Sequence, residues 1–134
     1  MNLKRYKNLK APGVVTTPFG GQTRDEQSHS GVDFANKEGT EIPAFEDGTV
    51  VGTAPTNNGM GNVVTLQDVN GDTHKYGHLR NFNVKPGQRV KKGQKIATMG
   101  KTGNSYSPSG GDPSHLDVRI VDAYGRFKNP MSYI

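Results

Sequence analysis

Cysteine and tryptophan are both absent from this 134-residue chain. Without thiols there is no disulfide, no thiolate nucleophile, no sulfur-ligated zinc and no iron–sulfur cluster, so any bound metal must rest on His, Asp or Glu. Long apolar runs are missing too. Nothing approaches the roughly 20 residues that cross a bilayer as a helix, and the opening residues MNLKRYKNLK lack the apolar segment of a secretory signal. The reading therefore expects neither membrane insertion nor a Sec leader. Helical periodicity is equally scarce, because 18 Gly and 8 Pro interrupt nearly every window in which apolar residues recur at helical spacing. Leu, Ile, Val and Phe make up about 19% of the chain, at the edge of the disordered range. A formal net charge of only +5 argues instead for a folded domain.

What is present reads as an all-β, loop-rich, antiparallel sheet scaffold. Val outnumbers Leu twelve to five, and turn residues separate short Val-rich runs. Strands are expected at 48–52, 62–67, 73–78, 95–99 and 116–121. The Asn70-Gly71 pair predicts a two-residue hairpin with a type I′ turn. Residues 1–11 are basic and lack turn chemistry, so they read as a short N-terminal arm before a single domain at 12–134. The polar segment GKTGNSYSPSGGDP, from Gly100 to Pro113, lies between two strands and reads as a long functional loop.

The sequence pI near 9.5 points to an anionic partner. The basic residues Lys85, Arg89, Lys91, Lys92 and Lys95 cluster in one segment, which serves equally as a solvated face. Nucleic acid is disfavoured as the partner: there is no Gly-rich phosphate loop, no recognition-helix pattern, and few aromatics interleave with the basic residues.

Only four His are present. His29 and Asp33 stand four apart around Gly31, which would let the backbone bend both toward one point, as a pair of metal ligands requires; a solvated loop His is the plainer alternative. On a predicted strand, His115 and Asp117 share one face, opposite the apolar face of Leu116, Val118 and Ile120. Alternation also puts His74, Tyr76 and His78 on one face. About 13 Å of extended chain separates His74 from His78, too far to share one ion, so His78 is assigned to the site and His74 to the scaffold.

Together these blocks carry a resemblance. His29-x-Gly-x-Asp33, Tyr76-Gly-His78-Leu, Gly87-Gln-Arg-Val-Lys-Lys-Gly93-Gln, Met99-Gly-Lys-Thr-Gly103 and Ser114-His115-Leu-Asp117 resemble, in order and spacing from about Pro12 to Pro130, the lysostaphin-type zinc metalloendopeptidases that cut peptidoglycan cross-links. The resemblance implies a β-sheet of the duplicated-hybrid-motif type with an open groove, a zinc ion on His29 and Asp33, and a third ligand from a His-Leu-His motif. Here that motif reads His115-Leu116-Asp117. His115 carries over as general base, and the ligand His is replaced.

Three readings of Asp117 follow. A carboxylate is an accepted zinc ligand, so His29, Asp33 and Asp117 can hold the ion; two carboxylates would then cancel its double charge, weaken its electrophilicity and admit Mn²⁺ more readily. Alternatively the shorter Asp fails to reach and His115 becomes the ligand. In the third reading the site is degenerate and the chain is a non-catalytic peptidoglycan-binding or regulatory module. Direct substitution ranks first, because His29, Asp33, His78 and His115 are all retained. In that reading His115 takes a proton from water and His78 donates to the developing oxyanion. Asn104, Tyr106 and Ser107 line the substrate groove, peptide stems and cross-bridges are the partners, and anionic wall polymers attract the basic segment. The expected setting is the bacterial wall, reached in a phage virion, by lysis or as part of a longer exported chain.

Overall fold

A computed structural model describes residues 9–21, 28–103, 105 and 111–134. Eleven strands and one short 3-10 turn at Pro130–Tyr133 build it, with no α-helix among the described residues. The strands are β1 (Val14–Thr17), β2 (Gly31–Ala35), β3 (Glu41–Pro43), β4 (Gly48–Pro55), β5 (Asn62–Asp68), β6 (Thr73–Gly77), β7 (Leu79–Phe82), β8 (Arg89–Val90), β9 (Lys95–Met99), β10 (His115–Val121) and β11 (Phe127–Lys128). The five expected strands correspond to β4, β5, β6, β9 and β10. The larger sheet runs β1-β2-β10-β6-β5-β4-β8, with β11 paired to the end of β10, and a second sheet runs β3-β9-β7; every pairing is antiparallel.

Alternation along the central strands sorts side chains into two faces. Val32 and Phe34 of β2, Leu116, Val118 and Ile120 of β10, and Tyr76 of β6 are fully buried and share one core with Ile42, Leu79, Ile96 and Met99 from the smaller sheet. The smaller sheet thus covers one face of the larger, and the opposite face of β2 and β10 is left for chemistry. Leu9, within the expected arm, also packs into this core.

The β5–β6 hairpin forms, but its turn is not type I′. Asn70 has no positive φ, Gly71 alone adopts φ +88°, and the Gly71 amide donates to the Asp68 carbonyl. This is a three-residue connection, a type I turn followed by a left-handed Gly. Asp68 selects it: its Oδ1 accepts from the Asn70 amide at 2.8 Å and the Asp72 amide at 3.0 Å. The other Asp68 oxygen meets His74 Nε2 at 2.8 Å, and His74 Nδ1 meets the Tyr76 hydroxyl at 3.0 Å. That hydroxyl also accepts the Phe45 amide. His74 is therefore a fully buried scaffold residue, as the sequence assigned it.

Candidate metal centre

The site begins with the register of two strands. Asp117 of β10 lies directly opposite Asp33 of β2, and Arg119 lies opposite Gly31. Any Cβ at Gly31 would collide with the Val118 carbonyl oxygen and approach Arg119 Cγ to 2.8 Å. Gly31 therefore serves close strand approach. It has ordinary strand backbone and no positive φ, which corrects the expectation of a bend. His29, just before β2, brings its imidazole over the same face.

One donor atom from each of His29, Asp33 and Asp117 lies within 4.8 Å of the others. His29 Nε2 stands 3.4 Å from Asp33 Oδ1 and 3.6 Å from Asp117 Oδ2. These separations exceed ordinary N–H···O hydrogen bonds. They approach the edge of about 3.3–3.4 Å expected between ligands sharing a tetrahedral ion at zinc bond lengths. Asp33 Oδ1 is buried with no hydrogen-bond partner, an arrangement that a cation would complete. The three residues fit a divalent ion.

The electrostatics of the metal-free cluster agree. Burial and the Asp117 charge push the Asp33 carboxyl up to about 6, against the attraction of His29 and His115. Burial pushes Asp117 the same way, but the attraction of His29 and the hydrogen bonds from Arg119 prevail and hold it below the usual carboxylate range. Burial lowers His29, and the two carboxylates more than offset this, so its pKa is raised. A cluster of two carboxylates and one imidazole that compete for protons has the donor set that suits a divalent cation.

His78 reaches this face by an irregularity. Strict alternation would send its side chain toward the core with Tyr76, but His78 has φ +61°, the one positive φ among described non-Gly residues. That left-handed step reverses the alternation between β6 and β7. The His78 ring then packs against His115, centroids 4.1 Å apart and planes tilted by 37°. His78 Nδ1 lies 2.7 Å from the Thr102 carbonyl, and His115 Nδ1 lies 2.9 Å from the Pro113 carbonyl. Carbonyls only accept, so both rings carry a proton on Nδ1, and in the neutral ring Nε2 is then the lone pair. Burial and the neighbouring His115 lower the His78 pKa.

Sequence reasoning missed Arg119. Its Nη2 donates to Asp117 Oδ2 at 2.9 Å, and its Nε lies 3.2 Å from both carboxylate oxygens. The expected cancellation of the ion's charge by two carboxylates thus leaves out a third charge, of positive sign. The same period-two rule that joined His115 to Asp117 extends to 119. The three expected groove contacts, Asn104, Tyr106 and Ser107, lie outside the described residues.

Comparison with known proteins places this geometry. The profile described as Peptidase family M23 matches residues 27–130. Glycyl-glycine endopeptidase ALE-1 of Staphylococcus capitis is 46% identical over 108 residues, covering 79% of this chain and 28% of that protein. The catalytic domain of lysostaphin from Staphylococcus simulans superposes with a TM-score of 0.73 at 30% identity, covering 90% of this chain and 89% of that one. A point mutant of the catalytic domain of the prophage-encoded M23 protein EnpA from Enterococcus faecalis gives 0.74 at 27% identity, covering 94% and 95%. The chain spans about a quarter of the length of the curated relatives it matches.

Proposed function

The chain belongs to peptidase family M23, and from that premise we propose that it is the catalytic unit of a zinc-dependent endopeptidase hydrolysing peptide cross-links of bacterial peptidoglycan. The observation that carries this reading is the convergence of His29, Asp33 and Asp117 donor atoms on the strand face that also bears the packed His78–His115 pair. His29, Asp33 and Asp117 would hold the ion, Zn²⁺ first, with Mn²⁺ tolerated by the two carboxylates. A bound ion supplies Lewis acidity, polarising a peptide carbonyl and making water easier to deprotonate.

The chain's own residues do the rest. His115, with Nδ1–H held by the Pro113 carbonyl, presents a lone pair on Nε2 that takes a proton from the attacking water. His78 presents the same atom in the same state. Donating to an oxyanion would require a second proton on its ring, which burial and His115 both oppose. We therefore place His78 as a second acceptor that orients the water, in place of the expected oxyanion donor. Asn104, Tyr106 and Ser107 remain the candidate groove contacts for an extended peptide. Exposed Lys85, Arg89, Lys91 and Lys95 favour anionic wall polymers as secondary contacts. ALE-1 is a glycyl-glycine endopeptidase by name, which makes a Gly–Gly bridge the first bond to test, and the prophage origin of EnpA makes phage-borne delivery a natural setting.

The test is release of free amino groups from purified peptidoglycans of several cross-link types. Zinc-loaded protein is expected to release them, and chelator-treated protein is not. His115→Ala is expected to keep its zinc while losing about 10²–10⁴-fold in rate. Binding to every wall type without release from any would make the chain a recognition module.

A further inference from the structure

Asp is shorter than His, so a carboxylate at position 117 needs something to aim it where an imidazole would have reached by its own length. The structure contains that something. Arg119 stands two residues along the same face of β10, folds back, and grips both oxygens of Asp117 through Nε and Nη2 at 2.9–3.2 Å. Each carboxylate oxygen has two lone pairs, so this fork occupies one side of the group and leaves the other toward His29 Nε2, 3.6 Å away. Space for the fork is also built in. Arg119 lies opposite Gly31, where a Cβ would crowd the Arg119 stem at 2.8 Å. The guanidinium brings one positive charge beside the additional carboxylate, leaving the His29, Asp33, Asp117 and Arg119 set with one net negative charge, the same as a site of two imidazoles and one carboxylate.

We propose that Arg119 is a positioning residue that makes Asp117 a working metal ligand, by orienting its carboxylate and offsetting its charge. The inference rests on the reading of Asp117 as a ligand given above. Groups hydrogen-bonded behind a metal ligand typically contribute 10–100-fold to metal affinity, and a planar fork cannot be replaced by a point charge.

The test is zinc affinity, measured by competition with a chromophoric chelator, with the unfolding midpoint of each chelated protein as a control for folding. Arg119→Gln is expected to weaken zinc binding by about 10–100-fold, and Arg119→Lys to recover part of that loss. The decisive arm is a double-mutant cycle. In an Asp117→His background, where an imidazole needs no fork, Arg119→Gln is expected to change affinity less than about threefold, whereas a merely structural role would cost the same in both backgrounds. Equal losses in the two backgrounds, or unchanged or tighter zinc binding by Arg119→Gln alone, would overturn the proposal. The ligand reading fails separately: Asp117→Ala would then bind zinc as well as the wild type does, and both ideas would fall together.

Discussion

Burial raises the cost of ionising Asp33, and the Asp117 carboxylate facing it adds to that cost, so its carboxyl is pushed up to about 6. The consequence for stability follows from proton linkage. Between the ordinary value of 3.8 and about 6 the folded chain holds a proton that the unfolded chain has released. The Asp33 contribution therefore falls as pH rises through that window, and it is unfavourable at neutral pH when no cation is bound. Asp33→Asn removes the ionisation. In the presence of chelator, this variant is expected to resist urea better than the wild type at neutral pH, with the difference closing as pH falls from about 6 towards 3.8. A difference independent of pH would show that the effect is packing. The residue that strains the metal-free fold is one we propose as a metal ligand, a trade common at functional sites.

At the scale of the strand, the site depends on how closely β2 and β10 approach. Gly31→Ala forces a methyl group against the Val118 carbonyl oxygen and the Arg119 stem. It is expected to destabilise the fold by about 1–3 kcal/mol, read from the urea midpoint, and to weaken zinc binding through Arg119. A neutral effect on both would mean that the strands separate without cost. The same scale shows what could be read in advance. The runs in β4, β5 and β10 announce themselves by Val content, β9 by Ile96, Ala97 and Met99 between turn residues, and alternation alone puts Asp117 opposite the apolar face. The short strands β3, β8 and β11 carry too few residues for a period to show. Chain separation from His74 singles out His78, but its route to the site depends on a left-handed backbone step that no side-chain pattern encodes. The hairpin turn departs from the type I′ geometry that Asn-Gly favours because the Asp68 carboxylate accepts the amides of Asn70 and Asp72. Arg119 carries no signal of its own in the sequence beyond its place two residues past Asp117, because its partner is a buried acid on the same strand.

Across the whole molecule, the smaller sheet and the buried Asp68–His74–Tyr76 chain hold one face rigid while the opposite face carries the acidic cluster. A metal on that cluster joins His29, β2 and β10, segments that the core already aligns. An ion that binds only the folded state stabilises it by mass action, by about 2.7 kcal/mol at one hundred times its dissociation constant. For a domain of this size that corresponds to a shift on the order of 10 °C in Tm. Chelation is thus expected to lower Tm by that order, and readdition of zinc to restore it. Wild type and His115→Ala are expected to respond alike, because His115 is assigned no bond to the ion. A chelator-insensitive Tm would argue that the cluster binds nothing.

A crystal structure of the zinc-loaded protein decides whether Asp117 takes the place of a ligand imidazole while His115 remains free to move protons. Zinc anomalous density is predicted between His29 Nε2, Asp33 and Asp117, with His115 Nδ1 still on the Pro113 carbonyl and its Nε2 off the metal. Density bonded to His115, with Asp117 turned away onto Arg119, would contradict the account and leave the site without its base.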